Sequence, residues 1–258
     1  MRMRNIFFIT AGFILLTGYF QGMNLFFDGL MWVIFALLFF PLAHYICRFS
    51  GLKGLSSLGY YKKGAAKNLI VGFIIGFLCW GIMYLIFYLM GRYEGLNARD
   101  FGTIFLLLIQ ASVGMFLGST INDAIVRGYF FSHLQGKVSV FVFLSFTSII
   151  YALDDFWYEG FSINNTIFSF LLGLSLAYAF WKTGSIWYTT GLHWGLNMMY
   201  SIVYGLPGTG QHGGVFSIKS VNDEDIYFYI TIGITVFLLL IVILYFRFTN
   251  TNKESGAG

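Results

Sequence analysis

The stretch Leu69-Ile-Val-Gly-Phe-Ile-Ile-Gly-Phe-Leu-Cys-Trp-Gly-Ile-Met-Tyr-Leu-Ile-Phe-Tyr-Leu-Met90 runs for 22 residues without an Asp, Glu, Lys or Arg. A helix rises about 1.5 Å per residue, so about 20 apolar residues cross the hydrocarbon core of a bilayer. The run is continuous rather than alternating, which argues against a barrel strand, whose two faces meet different solvents. The stretch reads as a membrane-spanning helix.

Outward from it, seven further segments read the same way: 5–21, 28–47, 103–134, 138–158, 161–181, 185–205 and 226–248. The pair 138–158 and 161–181 is tightly spaced, and the segment 185–205 is the most polar. Segment 103–134 is too long for a simple crossing, so it either tilts or continues past the membrane surface. Met1-Arg-Met-Arg-Asn5 ahead of an apolar run imitates a secretory signal, but no small-x-small cleavage site precedes Gln21, and we read a retained first span.

Composition supports this. The chain is 58% hydrophobic and 21% aromatic, with only 10% charged residues and a mean hydropathy of +0.76. A soluble domain carries about 25% charged residues, and a chain this poor in charge could not cover its own surface. The expected fold is all-α, a polytopic transmembrane helix bundle of about eight spans. Residues 1–258 read as a single membrane domain, with a motif-bearing core at about 103–205. Cys47 and Cys79 both sit in apolar runs and read as buried free thiols. No internal repeat argues for a duplicated transporter.

Charge distribution sets an orientation. With the N-terminus inside, Arg2, Arg4, Arg48, Lys53, Lys62, Lys63, Lys67, Arg127, Lys137, Lys182, Arg247 and Lys253 fall on the cytoplasmic side, 12 of the 15 basic residues. Nine of the 11 acidic residues fall outside, leaving Asp123 and Glu254. By the positive-inside rule both termini are cytoplasmic, and the expected location is the cell membrane, crossed many times. The 51–68 loop, with Lys62, Lys63 and Lys67 beside Tyr60 and Tyr61, reads as an amphipathic segment on anionic headgroups. Segment 206–225 reads as a flexible outer loop.

Ionisable side chains inside spans cost about 2.5–3.5 kcal/mol each at a helix centre and so mark candidate sites. Asp123 and Arg127 are four apart, share a helix face and can neutralise one another, with Asn122 beside them. On these residues alone, a structural ion pair and a functional site stand equal. Asp154 and Asp155 end the fifth span; Asp154 reads as interfacial and solvated, while Asp155 shares a face with Tyr151. His193 and Asn197, also four apart, favour a polar interior site. The fourth and fifth spans form a hairpin near Gly136-Lys137, across which Asp123 and Asp155 could approach each other.

In three places the chain resembles one known family. Members of the CPBP family, also called Abi, carry Glu-Glu-x-x-x-Arg-Gly, an aromatic-x-x-x-His and a His-x-x-x-Asn/Asp. Here Asn122-Asp-Ala-Ile-Val-Arg-Gly128, Tyr151-Ala-Leu-Asp-Asp155 and His193-Trp-Gly-Leu-Asn197 occur in that order. The resemblance covers about residues 110–200 and implies an intramembrane endopeptidase of the CAAX-processing type. It would act on a membrane-associated or prenylated peptide or protein. The partners it implies are the lipid bilayer and that substrate, not nucleic acid.

The resemblance also implies roles. The position of Asn122 belongs to the water-activating Glu, that of Asp155 to the first His, and His193 with Asn197 to the stabilisers of the oxyanion. The chain departs where protons move. Asn122 is an amide that cannot act as a base, Asp123 is one methylene shorter than Glu, and Asp155 is acidic, while Arg127, Gly128, His193 and Asn197 match. Two expectations follow. One is an active peptidase with a rearranged site in which Asp123 or Asp155 is the base, or in which Asp123, Asp155 and His193 hold a divalent metal. The other is a pseudoprotease that binds without cutting, in bacteriocin immunity or membrane regulation. A transporter is a remote third reading, because the buried polar residues gather in one third of the chain.

Overall fold

The computed structural model describes residues 3–61, 63–154, 162–206, 213–221 and 225–254. Among them are eight helices: α1 (Met3–Phe26), α2 (Gly29–Phe49), α3 (Ala65–Leu89), α4 (Phe101–Leu134), α5 (Val140–Asp154), α6 (Ile163–Thr183), α7 (Ile186–Tyr204) and α8 (Asp225–Glu254). They form an all-α helical membrane bundle. Its outward side chains are apolar, as lipid contact demands: Leu15, Ile74, Leu85, Phe105, Phe141 and Leu240 are all exposed.

Six of the eight helices are long and apolar enough to cross a membrane. The exceptions are α5, short within its described part, and α7. Helix α7 is polar for a physical reason. It packs against α3, α4 and α6 and buries most of its length, including Thr189, Thr190, His193 and Ser201. A helix that meets protein rather than lipid on most sides need not be lipid-like.

The tightest pairing is that of α3 with α7. Two glycine pairs interlock there. A Cβ placed on Gly72 or Gly76 would strike the carbonyls of Tyr188 and Leu192, and one on Gly191 or Gly195 would strike those of Leu69 and Phe73. Each pair has the small-xxx-small spacing that lets backbones touch in a bilayer. This contact fixes the rotation of α7, and with it the direction of His193.

Helix α4 is one long rod with a local irregularity. It is α-helical over Phe101–Asp123, opens into a π-helical turn at Ala124–Tyr129 and closes again at Phe130–Leu134. Asp100 caps its start, accepting from the Thr103 amide at 3.0 Å and the Thr103 hydroxyl at 2.5 Å. These bonds hold the Asp100 carboxyl below the ordinary carboxylate range.

One loop expectation is extended and one corrected. Within 51–68, Leu55–Leu58 forms a 3-10 turn that packs Leu58 into the bundle, while Lys53, Lys63 and Lys67 stay exposed. Leu58 is fully buried, its carbonyl would meet a Cβ on Gly128 at 2.6 Å, and Tyr60 reaches Thr120 Oγ1 at 3.3 Å. Gly59 also accepts from the Ile186 amide at 3.1 Å, tying the loop to the start of α7. Within 206–225, Phe216–Ser220 is a strand, β2, paired antiparallel with β1 (Tyr93–Ala98). Glu94 faces Lys219 in that ribbon. Tyr93 hydrogen-bonds Tyr204 at the end of α7 at 2.7 Å, and burial pushes the Tyr93 hydroxyl pKa up.

Candidate active site

The polar residues of α4, α5 and α7 meet at the boundary between two apolar cores. One core holds Phe39, Leu58, Ile125 and Phe143, and the other holds Trp80, Tyr151, Leu172 and Leu192. At the seam, Asp123 and Arg127 are both fully buried, with Arg127 Nη1 donating to Asp123 Oδ1 at 2.5 Å. The other carboxylate oxygen accepts from Thr190 Oγ1 at 3.2 Å. Arg127 lies inside the π turn, a distortion often found where a helix serves a site. Its guanidinium carbon stands 4.7 Å from the centroid of the Tyr151 ring, a cation–π contact that covers one face of the charge.

His193 stands beside this pair. Its Nδ1 is 3.5 Å from Asp123 Oδ1, an electrostatic contact rather than a hydrogen bond, since Nδ1 lacks a hydrogen-bond partner among the described residues. Its Nε2 meets the Tyr151 hydroxyl at 3.3 Å. The carboxylate favours the tautomer with the proton on Nδ1, leaving Nε2 to accept from Tyr151. One turn along α7, Asn197 donates to Ser119 Oγ at 3.2 Å. Helices α4 and α7 are thus joined by two successive rungs, Ser119 with Asn197 and Asp123 with His193 and Thr190.

Asn122 faces the other way. Its Nδ2 donates to Asp154 Oδ2 at 2.7 Å, and Gln21 of α1 donates through Nε2 to Asp154 Oδ1 at 2.7 Å. The Asn122 carbonyl oxygen accepts a long 3.5 Å bond from Arg127 Nη1. The polar network therefore continues from His193 through Asp123, Arg127 and Asn122 to Asp154.

The structure brings together Asn122, Asp123, Arg127 and His193, with Asn197 one rung away. Asp155 lies outside the described residues. Asp154, expected to be solvated, is corrected: it is half-buried and both oxygens accept from buried amides. Thr190 and Ser119 were missed, although each lies three or four residues from a chosen residue on the same helix face. Gln21, an amide closing the first apolar run, was also readable as an anomaly. Two apolar grooves of about 290 and 600 Å³ lie between α1 and α2, lined by residues such as Gly12, Leu15 and Ile46; neither touches the network.

Of the candidate metal donors, Asp123 and His193 are adjacent, but no group of three or more His, Cys, Asp or Glu is assembled among the described residues. Both Asp123 oxygens are already engaged, one by a guanidinium that supplies the positive charge a cation would bring. The donors described here do not fit a metal, and no step below passes through one.

Fold and site together define an all-α membrane bundle with carboxylate, guanidinium, imidazole and amide groups gathered between its helices. Residues 101–199 match the family described as Rce1-like, type II CAAX prenyl endopeptidase Rce1-like. The segment therefore carries a CAAX-protease-type intramembrane endopeptidase fold, and the CPBP resemblance of the three motifs stands. The matched stretch opens at the first residue of α4 and closes inside α7, so it contains every helix of the network except α1. No curated protein and no solved structure matches the chain.

Proposed function

We propose that the protein is an intramembrane endopeptidase that hydrolyses a peptide bond in a membrane-associated or prenylated peptide. On this reading residues 1–258 form one membrane domain in the cell membrane, with both termini cytoplasmic. The observation that carries it is the Asp123–His193 pairing, held by Arg127, Thr190 and Tyr151 and flanked by Asn197. The second amide hydrogen of Asn197 is a donor for the carbonyl oxygen as it gains charge. Asp123 orients the imidazole, and Arg127 sets its guanidinium against that carboxylate in the buried site. Asp123 does not serve as the base, because its two oxygens are fully buried and committed to Arg127 and Thr190.

A second reading, a pseudoprotease that binds such peptides for immunity or membrane regulation, is favoured by one observation: the amide at Asn122 in the water-activating position. Purified protein in liposomes, given a prenylated peptide and a transmembrane peptide, separates the two. Cleavage lost in His193→Ala supports the endopeptidase; saturable binding without product supports the pseudoprotease.

A further inference from the structure

Hydrolysis needs a group that takes a proton from water, and position 122 offers an amide that cannot. The structure, however, places a carboxylate at the tip of that amide. Asp154 Oδ2 is 2.7 Å from Asn122 Nδ2, so an oxygen able to accept a proton stands one hydrogen bond beyond the end of the Asn122 side chain. Position 122 on α4 holds no carboxylate, and α5 holds one at the neighbouring point.

Asp154 and Asp123 differ in what such a role requires. Asp123 is sealed from water and bonded to a guanidinium at 2.5 Å. Asp154 is half-buried rather than sealed, and its two oxygens accept from the amides of Gln21 and Asn122, each at 2.7 Å. Those two amides fix the carboxylate's orientation. Gln21 thereby gains a purpose: an amide near the end of α1, outside the segment shared with the Rce1-like family, helps aim the carboxylate.

We infer that Asp154 is the general base of this protein, a carboxylate relocated from α4 to α5 to replace the one absent at Asn122. The inference rests on the endopeptidase reading. Asp154 takes one proton from water as the hydroxide oxygen bonds to the scissile carbonyl carbon. The carbonyl electron pair moves onto its oxygen, which the Asn197 amide stabilises. Collapse breaks the C–N bond, and the proton held by Asp154 passes to the departing nitrogen, leaving a carboxyl and an amine product.

The test measures kcat and KM for peptide cleavage by full-length protein in liposomes, with melting temperature alongside. Asp154→Asn keeps the shape and an acceptor oxygen but cannot take the proton. The expected result is a kcat at least about 100-fold lower, with KM and melting temperature unchanged. Adding Asn122→Glu to Asp154→Asn returns a carboxylate to α4 and should regain at least about tenfold of the loss. Wild-type cleavage that Asp154→Asn retains overturns this inference and leaves the endopeptidase reading intact. So does a kcat loss that comes only with matching losses in KM and melting temperature and is not regained in the double variant. A wild-type protein that binds peptide and yields no product overturns both.

Discussion

His193 Nδ1 lies 3.5 Å from Asp123 Oδ1, and the same carboxylate oxygen receives Arg127 Nη1 at 2.5 Å. One buried oxygen thus faces both a guanidinium and an imidazole. The arrangement makes the ion pair a support for the imidazole as well as a helix contact.

The first prediction concerns that pair. Because Asp123 and Arg127 are fully buried, removing either partner strands a charge in the interior. Asp123→Leu and Arg127→Met should each destabilise by about 3–5 kcal/mol. The double variant should recover most of that loss, since it also removes the desolvation cost. Denaturant unfolding of the four proteins in detergent completes the cycle. Equal, additive losses would show that the two residues do not act as a pair.

A second prediction follows from the glycine interlock. A side chain at Gly76 or Gly191 meets backbone carbonyl, which cannot rotate away. Gly76→Val and Gly191→Val should each cost about 1–3 kcal/mol or more and reduce activity through displacement of His193. Gly18, exposed on α1 with nothing within 4 Å of an added Cβ, should accept Ala with no loss. Melting temperature and the cleavage assay, read together, test this contrast.

The third prediction is a pH effect at the head of α4. The Asp100 carboxyl is held below its ordinary range by the Thr103 hydroxyl and amide. A depressed folded-state value contributes stability that is fully present above the unfolded value and disappears as pH falls through the folded one. The first turn of α4 should therefore fray only in strongly acidic solution, and Thr103→Ala should move that fraying to higher pH. Carboxyl carbon titration by NMR reads it directly, and an Asp100 titration unchanged by Thr103→Ala counts against the cap.

The amino-acid sequence by itself determined the helices, their approximate limits and the membrane as their solvent. Hydrophobic length is a local property, and lipid rejects any other backbone solution. It also determined that Asp123 and Arg127 share a face, as do His193 and Asn197, because helical spacing needs no tertiary information. Only the tertiary structure decided which faces meet. Whether Asp154 lies in solvent or against Asn122 depends on the relative height of α1, α4 and α5. The polarity of α7 becomes intelligible once α3, α4 and α6 surround it. The 3-10 turn at Leu55–Leu58 enters the bundle because Gly128 leaves room for its backbone, a contact between residues 70 apart in the chain. Contacts of that kind are set by packing among distant segments, and no local pattern encodes them.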